Sequence, residues 1–562
     1  MQQELATAIK KASQDLFSLN IEPELTRPEE QFGDYSTNLA MKLAAKTGQP
    51  PKAVAEKLVE KLSGQPNIAK AEAAGPGFIN ITLTDKALLK SLSTKPGQPL
   101  KGQVVVAEYS DPNPFKILHA GHIYTTVVGE AIAQLLEFAG ATVHRVNFGG
   151  DVGLHVAKSM WAILQELGGE EPLKLQEIPK QERTKWLSAR YIEGNAAYKD
   201  NPEAKTKITE YNKRIYQIQR DNDHASAFAQ IYWTGRQWSY EAFDVFYARL
   251  GTKLEKYYPE SEVADLGLET VRKHIGKIFE ESDGAIVFKG EPYGLHTRVF
   301  INSEGLPTYE AKDVGLIIKK YQDYHFDRSV VVTDNEQQTY MAVVLKAIEQ
   351  FLPELAAATT YIPHGKVKLL GGVKMSSRLG NIVPAHEVLD VTAAATKKAH
   401  GSEDEQVVLA AVKYAFLKQR IGGDIIYDPK ESVSLEGNSG PYLQYAYVRA
   451  LSILQKVESG EWRVERNSNL QPPTSNLESS ERSLARKISE YPEVVEAAVN
   501  ELMPHHVATY LYELAQNFNR FYEANRIIGD EREALRLKLV EAYANILKSG
   551  LGLLNIPVPE KM

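Results

Sequence analysis

Apolar positions along this chain alternate between two spacings. Val104-Val-Val-Ala-Glu-Tyr109 is a short apolar run bounded by turn residues and reads as a buried strand. From Gly121 to Phe138, Val127, Val128, Ile132, Leu135 and Leu136 recur at helical spacing. Thr142-Val-His-Arg-Val-Asn147 is β-like again. Strand, helix and strand form a βαβ unit, whose ligand site lies beyond the carboxyl end of the first strand. Ahead of it, residues 1–90 carry two or three helices and then the β-like Gly77-Phe-Ile-Asn-Ile-Thr-Leu83. Ser91 to Gly102, with Pro96, Gly97, Pro99 and Gly102, reads as a linker. Residues 103–390 form an α/β domain, interrupted over about 160–280 by a polar, largely helical insertion with interspersed charges from Glu203 to Asp223. Residues 400–562 are helical, with a polar loop from Asn467 to Ser480. The expected fold is an α/β Rossmann-like domain with a parallel sheet, a small N-terminal α+β domain and a C-terminal all-α helical bundle.

Composition narrows the class. With 562 residues the chain exceeds one core, and 43% hydrophobic with 24% charged residues describes a soluble globular protein. No apolar run reaches membrane-spanning length, and Met1-Gln-Gln-Glu-Leu5 lacks the basic start and apolar middle of a signal peptide. Zero cysteines exclude disulfides and cysteine-held zinc. The net charge of −7 has the wrong sign for non-specific attraction to nucleic acid, so such a surface must come from local patches.

Two stretches carry chemistry. In Asp111-Pro-Asn-Pro-Phe-Lys-Ile-Leu-His-Ala-Gly-His122, two histidines flank a glycine where strand gives way to helix. A helix N-terminus there favours phosphate oxygens, and Gly121 leaves room for a base or phosphate to touch backbone. His119 and His122 share one face of the first turn. The second stretch, Gly371-Gly-Val-Lys-Met-Ser-Ser-Arg-Leu-Gly380, follows the β-like run Tyr361 to Leu370. Its Lys374 and Arg378 suit a leaving pyrophosphate.

Together the stretches resemble the paired signatures of class I aminoacyl-tRNA synthetases. His-Ala-Gly-His at 119–122 is similar to the first signature, and Lys-Met-Ser-Ser-Arg at 374–378 to the second, in the variant found in arginyl-tRNA synthetases. Glu108-Tyr-Ser-Asp-Pro-Asn113, Pro307-Thr-Tyr-Glu-Ala-Lys-Asp-Val-Gly315, Gly437-Asn-Ser-Gly-Pro-Tyr-Leu-Gln-Tyr445 and the chain end at Met562 resemble the same family. Phe32-Gly-Asp-Tyr-Ser-Thr-Asn38 resembles its N-terminal add-on domain, which contacts the outer corner of tRNA; a small α+β domain without an RNA role remains the alternative. Gly149-Gly-Asp-Val-Gly153 resembles the family's Gly-Asp-x-Gly turn, with a plain strand-to-loop turn as its alternative.

The resemblance implies an enzyme, a ligase that joins arginine to tRNA(Arg) through arginyl-adenylate. Its catalytic residues would be His119, His122, Lys374 and Arg378. The ATP site would add Lys116, Gly121, His364, Met375, Ser376 and Ser377. Asp313, Tyr309 and Glu108 would hold the guanidinium, and Asn113 and Gln337 the backbone end of the amino acid. The family usually has serine where this chain has Asp111, and an extra carboxylate there favours a cationic substrate. Magnesium is expected on ATP and no zinc or protein-held metal is expected. Tyr442, Tyr445, Tyr522 and Met562 would meet tRNA. Aromatics interleaved with Arg449, Arg520 and Arg526 suit stacking on unpaired bases, although at helical spacing Tyr442, Tyr445, Tyr447, Phe518, Phe521 and Tyr522 are more often core. A cytoplasmic monomer without membrane association is expected.

Overall fold

The computed structural model describes residues 1–370, 383–459 and 476–562. Its centre is a five-stranded parallel sheet in the order Thr359–His364, Arg328–Asp334, Val104–Glu108, Thr142–Gly149, Lys256–Pro259. Val105, Val106 and Ala107 are buried, as a strand covered on both faces requires. From that middle strand the chain first winds outward through Thr142–Gly149 and Lys256–Pro259. It then returns to the other side through Arg328–Asp334 and Thr359–His364. The reversal leaves a crevice beyond the carboxyl ends of Val104–Glu108 and Arg328–Asp334.

The helix Ala120–Phe138 crosses back over the sheet with Val127, Val128, Ile132, Leu135 and Leu136 buried. Gly129 makes its close approach possible, since a Cβ there would lie 2.2 Å from Cγ of Tyr109. The run Tyr361 to Leu370, one β-like segment in sequence, divides at Gly365. Thr359–His364 joins the main sheet, whereas Val367–Leu369 pairs with Ile425–Tyr427. A Cβ on Gly365 would stand 2.2 Å from the Gly423 carbonyl oxygen, so the change of direction needs glycine.

The excursion expected over 160–280 is shorter as a helical body. Helices Leu154–Leu167, Arg183–Asp200, Pro202–Asp221 and Ala227–Arg249 share their own core around Met160, Ile208, Ile215 and Tyr232. Within the same range Lys256–Pro259 is the edge strand of the main sheet, and its short aromatic run Tyr257-Tyr258 was masked by the polar sequence around it.

At the N-terminus an antiparallel sheet, Tyr35–Thr37, Phe78–Leu83 and Ile68–Ala74, packs against Leu39–Thr47 and Pro51–Leu62. The C-terminal region contributes helices Glu405–Leu417, Gly440–Glu458, Ser479–Ser489, Tyr491–Glu501, His505–Ala524 and Glu533–Leu553. Of the polar loop expected from Asn467 to Ser480, residues 467–475 lie outside the described residues, while Ser479 and Ser480 already open a helix. One hydrophobic cluster runs from Leu5 and Ile9 through Val105 and Ile123 to Leu511 and Leu547, tying the three regions together.

Candidate active site

The segment leaving the middle strand is conformationally unusual. Ser110, Asp111 and Phe115 have φ of 79°, 48° and 66°, a left-handed conformation that costs free energy in residues with a Cβ. Such strain gathers where backbone must be aimed at a ligand. Asp111 Oδ1 accepts the Phe148 N–H at 2.8 Å, and Asn113 Oδ1 accepts the Gly150 N–H at 2.8 Å. Both side chains thereby tie this turn to the end of the neighbouring strand.

His119 caps the following helix and His122 lies in its first turn, their rings 3.9 Å apart. The His119 N–H donates to Nδ1 of His122 at 3.0 Å, so that nitrogen carries no proton. Burial, with Lys116 nearby, lowers His119 to about 4. Burial and the neighbouring His119 and Lys116 hold His122 well below the ordinary histidine range. Both rings are therefore neutral at pH 7. Burial also lowers the pKa of Lys116, although Glu260 nearby favours its charge.

His364 ends the strand Thr359–His364 beside this helix. Its Nε2 is 2.6 Å from Thr125 Oγ1 and its Nδ1 2.8 Å from the Gly365 carbonyl. With both ring nitrogens occupied, it braces the helix against the sheet rather than offering a nitrogen to a base.

Tyr309 does open a helix, Tyr309–Tyr324, and Asp313 follows one turn later. Tyr309 is exposed at the mouth, whereas Asp313 is buried. The same helix carries Lys320, whose ammonium donates to Glu108 and to Ser329 Oγ, the latter at 3.1 Å. Glu108 is thus already paired, a partner that sequence reasoning missed. Burial, reinforced by Glu108 and Glu260, pushes Asp313 well above the usual carboxylate range. Burial and Glu108 do the same to Asp111. Gln337 sits exposed in the turn after Arg328–Asp334, with Oε1 accepting from Thr333 Oγ1 at 3.2 Å.

Sequence reasoning also missed the buried pair Glu260 and Lys312, 2.5 Å apart, and His155. Lys312 precedes Asp313 in the tyrosine/aspartate stretch, and that adjacency was the available signal. Asp151, in the Gly149–Gly153 turn, is buried and accepts from Ser261 N–H and Oγ–H at 2.9 and 2.7 Å and from Arg236 at 3.0 Å. It joins the edge helix to the insertion.

Lys374, Met375, Ser376, Ser377 and Arg378 lie outside the described residues. The flanking chain is anchored close to the histidine pair. Ala120 N–H donates to the Val383 carbonyl at 2.8 Å and Ala385 N–H to that of Leu118 at 2.9 Å.

The tyrosines expected to meet tRNA lie in the C-terminal helices. Tyr445 and Met562 are exposed. Tyr442 accepts from Asn519 at 2.8 Å, and the Arg449 guanidinium covers the Tyr522 ring at 4.1 Å. Phe518, Phe521 and Tyr447 are buried, Phe518 being stacked on Tyr543 at 3.9 Å, so these three are core and offer no face for stacking.

Comparisons with known proteins agree along the whole chain. Residues 1–83 match the arginyl tRNA synthetase N-terminal domain, 84–428 the class I (R) tRNA synthetase catalytic domain, and 443–562 the DALR anticodon binding domain. An arginine–tRNA ligase of Synechococcus sp. is 31% identical over 576 residues, covering 95% of this chain and 94% of its own. One of Porphyromonas gingivalis is 27% identical over 578 residues, covering 96% and 95%. The solved arginyl-tRNA synthetase of Thermus thermophilus superposes with a TM-score of 0.82 at 25% identity, covering 100% of both chains. The match over residues 84–428, on a parallel sheet with a histidine-flanked helix start at its switch point, places the chain among the class I aminoacyl-tRNA synthetases. Within that class, the chain belongs to the arginyl-tRNA synthetase family.

Proposed function

We propose that this enzyme is an arginine–tRNA ligase that activates L-arginine with ATP and transfers it to the 3′ end of tRNA(Arg). The observation that carries the reading is the carboxylate cluster Glu108, Asp111 and Asp313 around Lys320, in the same crevice as the histidine pair. One lysine against three carboxylates leaves room for a further cation. A guanidinium is planar, always charged and suited to bidentate contact. Asp313, Glu108, Asp111 and Tyr309 take it, while Asn113 and Gln337 hold the backbone end.

The neutral His119 and His122 donate hydrogen bonds to the α-phosphate, with Gly121 allowing backbone contact. Lys116, Lys374 and Arg378 meet the remaining phosphates, Met375, Ser376 and Ser377 accompany them, and His364 supports the adenosine side. An arginine carboxylate oxygen attacks the α-phosphorus and the bond to pyrophosphate breaks. A hydroxyl of the terminal tRNA adenosine then attacks the carbonyl carbon and AMP leaves. Magnesium travels on the nucleotide, held by phosphate oxygens and water. Residues 1–90, 103–390 and 400–562 act as tRNA-contacting, catalytic and anticodon-binding domains, with Tyr442, Tyr445, Tyr522 and Met562 on the tRNA side. The enzyme works as a cytoplasmic monomer.

The test is attachment of radiolabelled amino acids, one at a time, to total tRNA. Label in tRNA with arginine alone is the expected result; a different amino acid, or none, refutes the proposal.

A further inference from the structure

The helical insertion packs against the turn that carries Lys116. Phe115, one residue ahead of that lysine, has φ of 66° and is 1% exposed. A residue with a bulky side chain leaves this left-handed region unless its surroundings hold it there. What holds it comes from the helix Ala227–Arg249. The Phe115 N–H donates to Ser239 Oγ at 2.9 Å. The Ser239 hydroxyl donates in turn to the Gly235 carbonyl at 2.9 Å, so toward Phe115 it can only accept. Gly235 clears space for the ring, since a Cβ there would lie 2.4 Å from Phe115 Cε1. The Tyr232 ring stacks on Phe115 at 6.0 Å, and its hydroxyl is fixed by the Asp151 carbonyl at 3.0 Å. Positions 232, 235 and 239 are three and four apart and form one face of the helix. A glycine inside a helix weakens it, and here the close approach of Phe115 is what it permits.

The consequence falls on Lys116. Its ammonium lies 5.4 Å over the ring of Tyr191, in the insertion helix Arg183–Asp200. Among the described residues that ammonium forms no ion pair and no hydrogen bond. A contact with an aromatic face steadies a charge without neutralising it, so the ammonium stays available to an anion. Its direction is therefore set by the backbone at Phe115 and by Tyr191, and not by a carboxylate. A change of φ at Phe115 turns the chain immediately ahead of Lys116, and the tip of the long side chain moves with it.

We propose that Ser239 is a positioning residue of the ATP site, acting through Phe115 on Lys116, with Gly235 and Tyr232 as its supports. This rests on the reading that Lys116 meets the phosphates of ATP. The insertion then serves the nucleotide site through a residue that does not touch the nucleotide. Loss of the hydroxyl leaves the Phe115 N–H buried without an acceptor and favours a different backbone conformation there. A phosphate cation displaced by even a small distance loses much of its effect.

The test is steady-state charging by the full chain, with ATP and arginine varied in turn, for Ser239→Ala, Lys116→Met and the double variant. Ser239→Ala should lower kcat/KM for ATP by about tenfold while KM for arginine stays within about twofold. Lys116→Met should lower kcat/KM for ATP at least as much. In the Lys116→Met background, Ser239→Ala should add less than about twofold, because the lysine through which it acts is gone. A full further loss in that background, a parallel change for ATP and arginine, or no loss in Ser239→Ala alone makes the contact merely structural and overturns the proposal. Ser239→Thr keeps the hydroxyl and should bring kcat/KM for ATP back to within about threefold of the unmutated chain. A defect as large as that of Ser239→Ala would overturn the proposal too. Gly235→Ala guards against a folding failure at residue 239, since alanine favours the helix itself while pressing on Phe115. It should reproduce the ATP-specific loss, and unaltered ATP kinetics would count against the proposal. If Lys116→Met charges tRNA with unaltered ATP kinetics, the phosphate reading of Lys116 fails and the proposal falls with it.

Discussion

Lys320 donates to Glu108 in the floor of the crevice, with 0% of the lysine and 3% of the glutamate exposed. Among the described residues neither Asp111 nor Asp313 forms an ion pair, so Lys320 is the cation that steadies this floor before substrate enters. Removing one partner of a buried pair strands the other charge. Lys320→Met should therefore lower stability by about 3–5 kcal/mol, and adding Glu108→Gln should restore most of it. Urea unfolding of the single and double variants measures this. A single-variant loss no larger than the double-variant loss would show that the pair is not coupled.

The same floor makes arginine binding depend on pH. Asp111 and Asp313 have raised pKa values in the folded chain, through burial first and Glu108 second. Their contribution to stability is thus present below the unfolded carboxyl value of about 3.9 and is lost as pH rises through the folded values. A guanidinium pairs with the ionised forms, so binding should release protons. Saturating arginine should raise the melting temperature more at about pH 8 than at about pH 5.5. Titration calorimetry in two buffers of different ionisation enthalpy reads the protons directly. Proton uptake, or a shift independent of pH, would contradict the cluster's role.

For the histidines the expected behaviour is the absence of a titration. His119 is lowered to about 4 and His122 still accepts a backbone N–H on Nδ1, which a protonated ring could not do. His122→Ala should slow adenylate formation by about 10²- to 10³-fold, the loss typical of a donor aimed at developing charge. Arginine affinity should be largely unchanged. Single-turnover kinetics at several pH values check both points. A rate that follows a group with a pKa near 6.5 in the wild-type enzyme, and loses that dependence in His122→Ala, would mean that the ring is charged.

Much of this was legible in the chain itself. The apolar run Val104–Tyr109, the helical stripe to Phe138 and the second run from Thr142 mark the middle of the sheet because strands covered on both faces must be apolar. The histidine stretch falls at the helix start that this pattern fixes. What sequence spacing does not carry is long-range charge pairing. Glu108 and Lys320 are separated by 212 positions, and nothing local distinguishes Lys320 from the lysine beside it, Lys319, which lies outside the core and pairs with Asp323. Glu260 was hidden likewise, since it follows a strand that is only a short run inside a polar stretch. Phe32-Gly-Asp-Tyr-Ser-Thr-Asn38 divides between two tasks. Phe32 is exposed, whereas Asp34 and Tyr35 turn inward toward the C-terminal helices.

That inward turn leads to a prediction about how the ends of the chain hold each other. Arg27 donates to both carboxylate oxygens of Glu493, at 2.9 and 2.7 Å, and its guanidinium covers the Tyr35 ring at 3.8 Å. Tyr35 in turn donates to Glu493 at 2.6 Å. Nearby, Arg482 bridges Asp34 at 2.6 Å and Asp85 at 2.9 Å. The N-terminal region is therefore fastened to the helices Ser479–Ser489 and Tyr491–Glu501 by largely desolvated ion pairs, the one at Glu493 bidentate. Arg27→Ala should lower global stability by about 1.5–3 kcal/mol, the range for hydrogen bonds to charged groups. Glu493→Ala should cost a similar amount, and the double variant less than the sum, because the two residues share one interaction. Limited proteolysis of residues 93–102, which follow the helix Asp85–Ser91, should quicken in each variant, while arginine binding to the distant crevice stays unchanged. Additive losses in the cycle, or cleavage as slow as in the unmutated chain, would show that hydrophobic contact alone holds the N-terminal sheet in place.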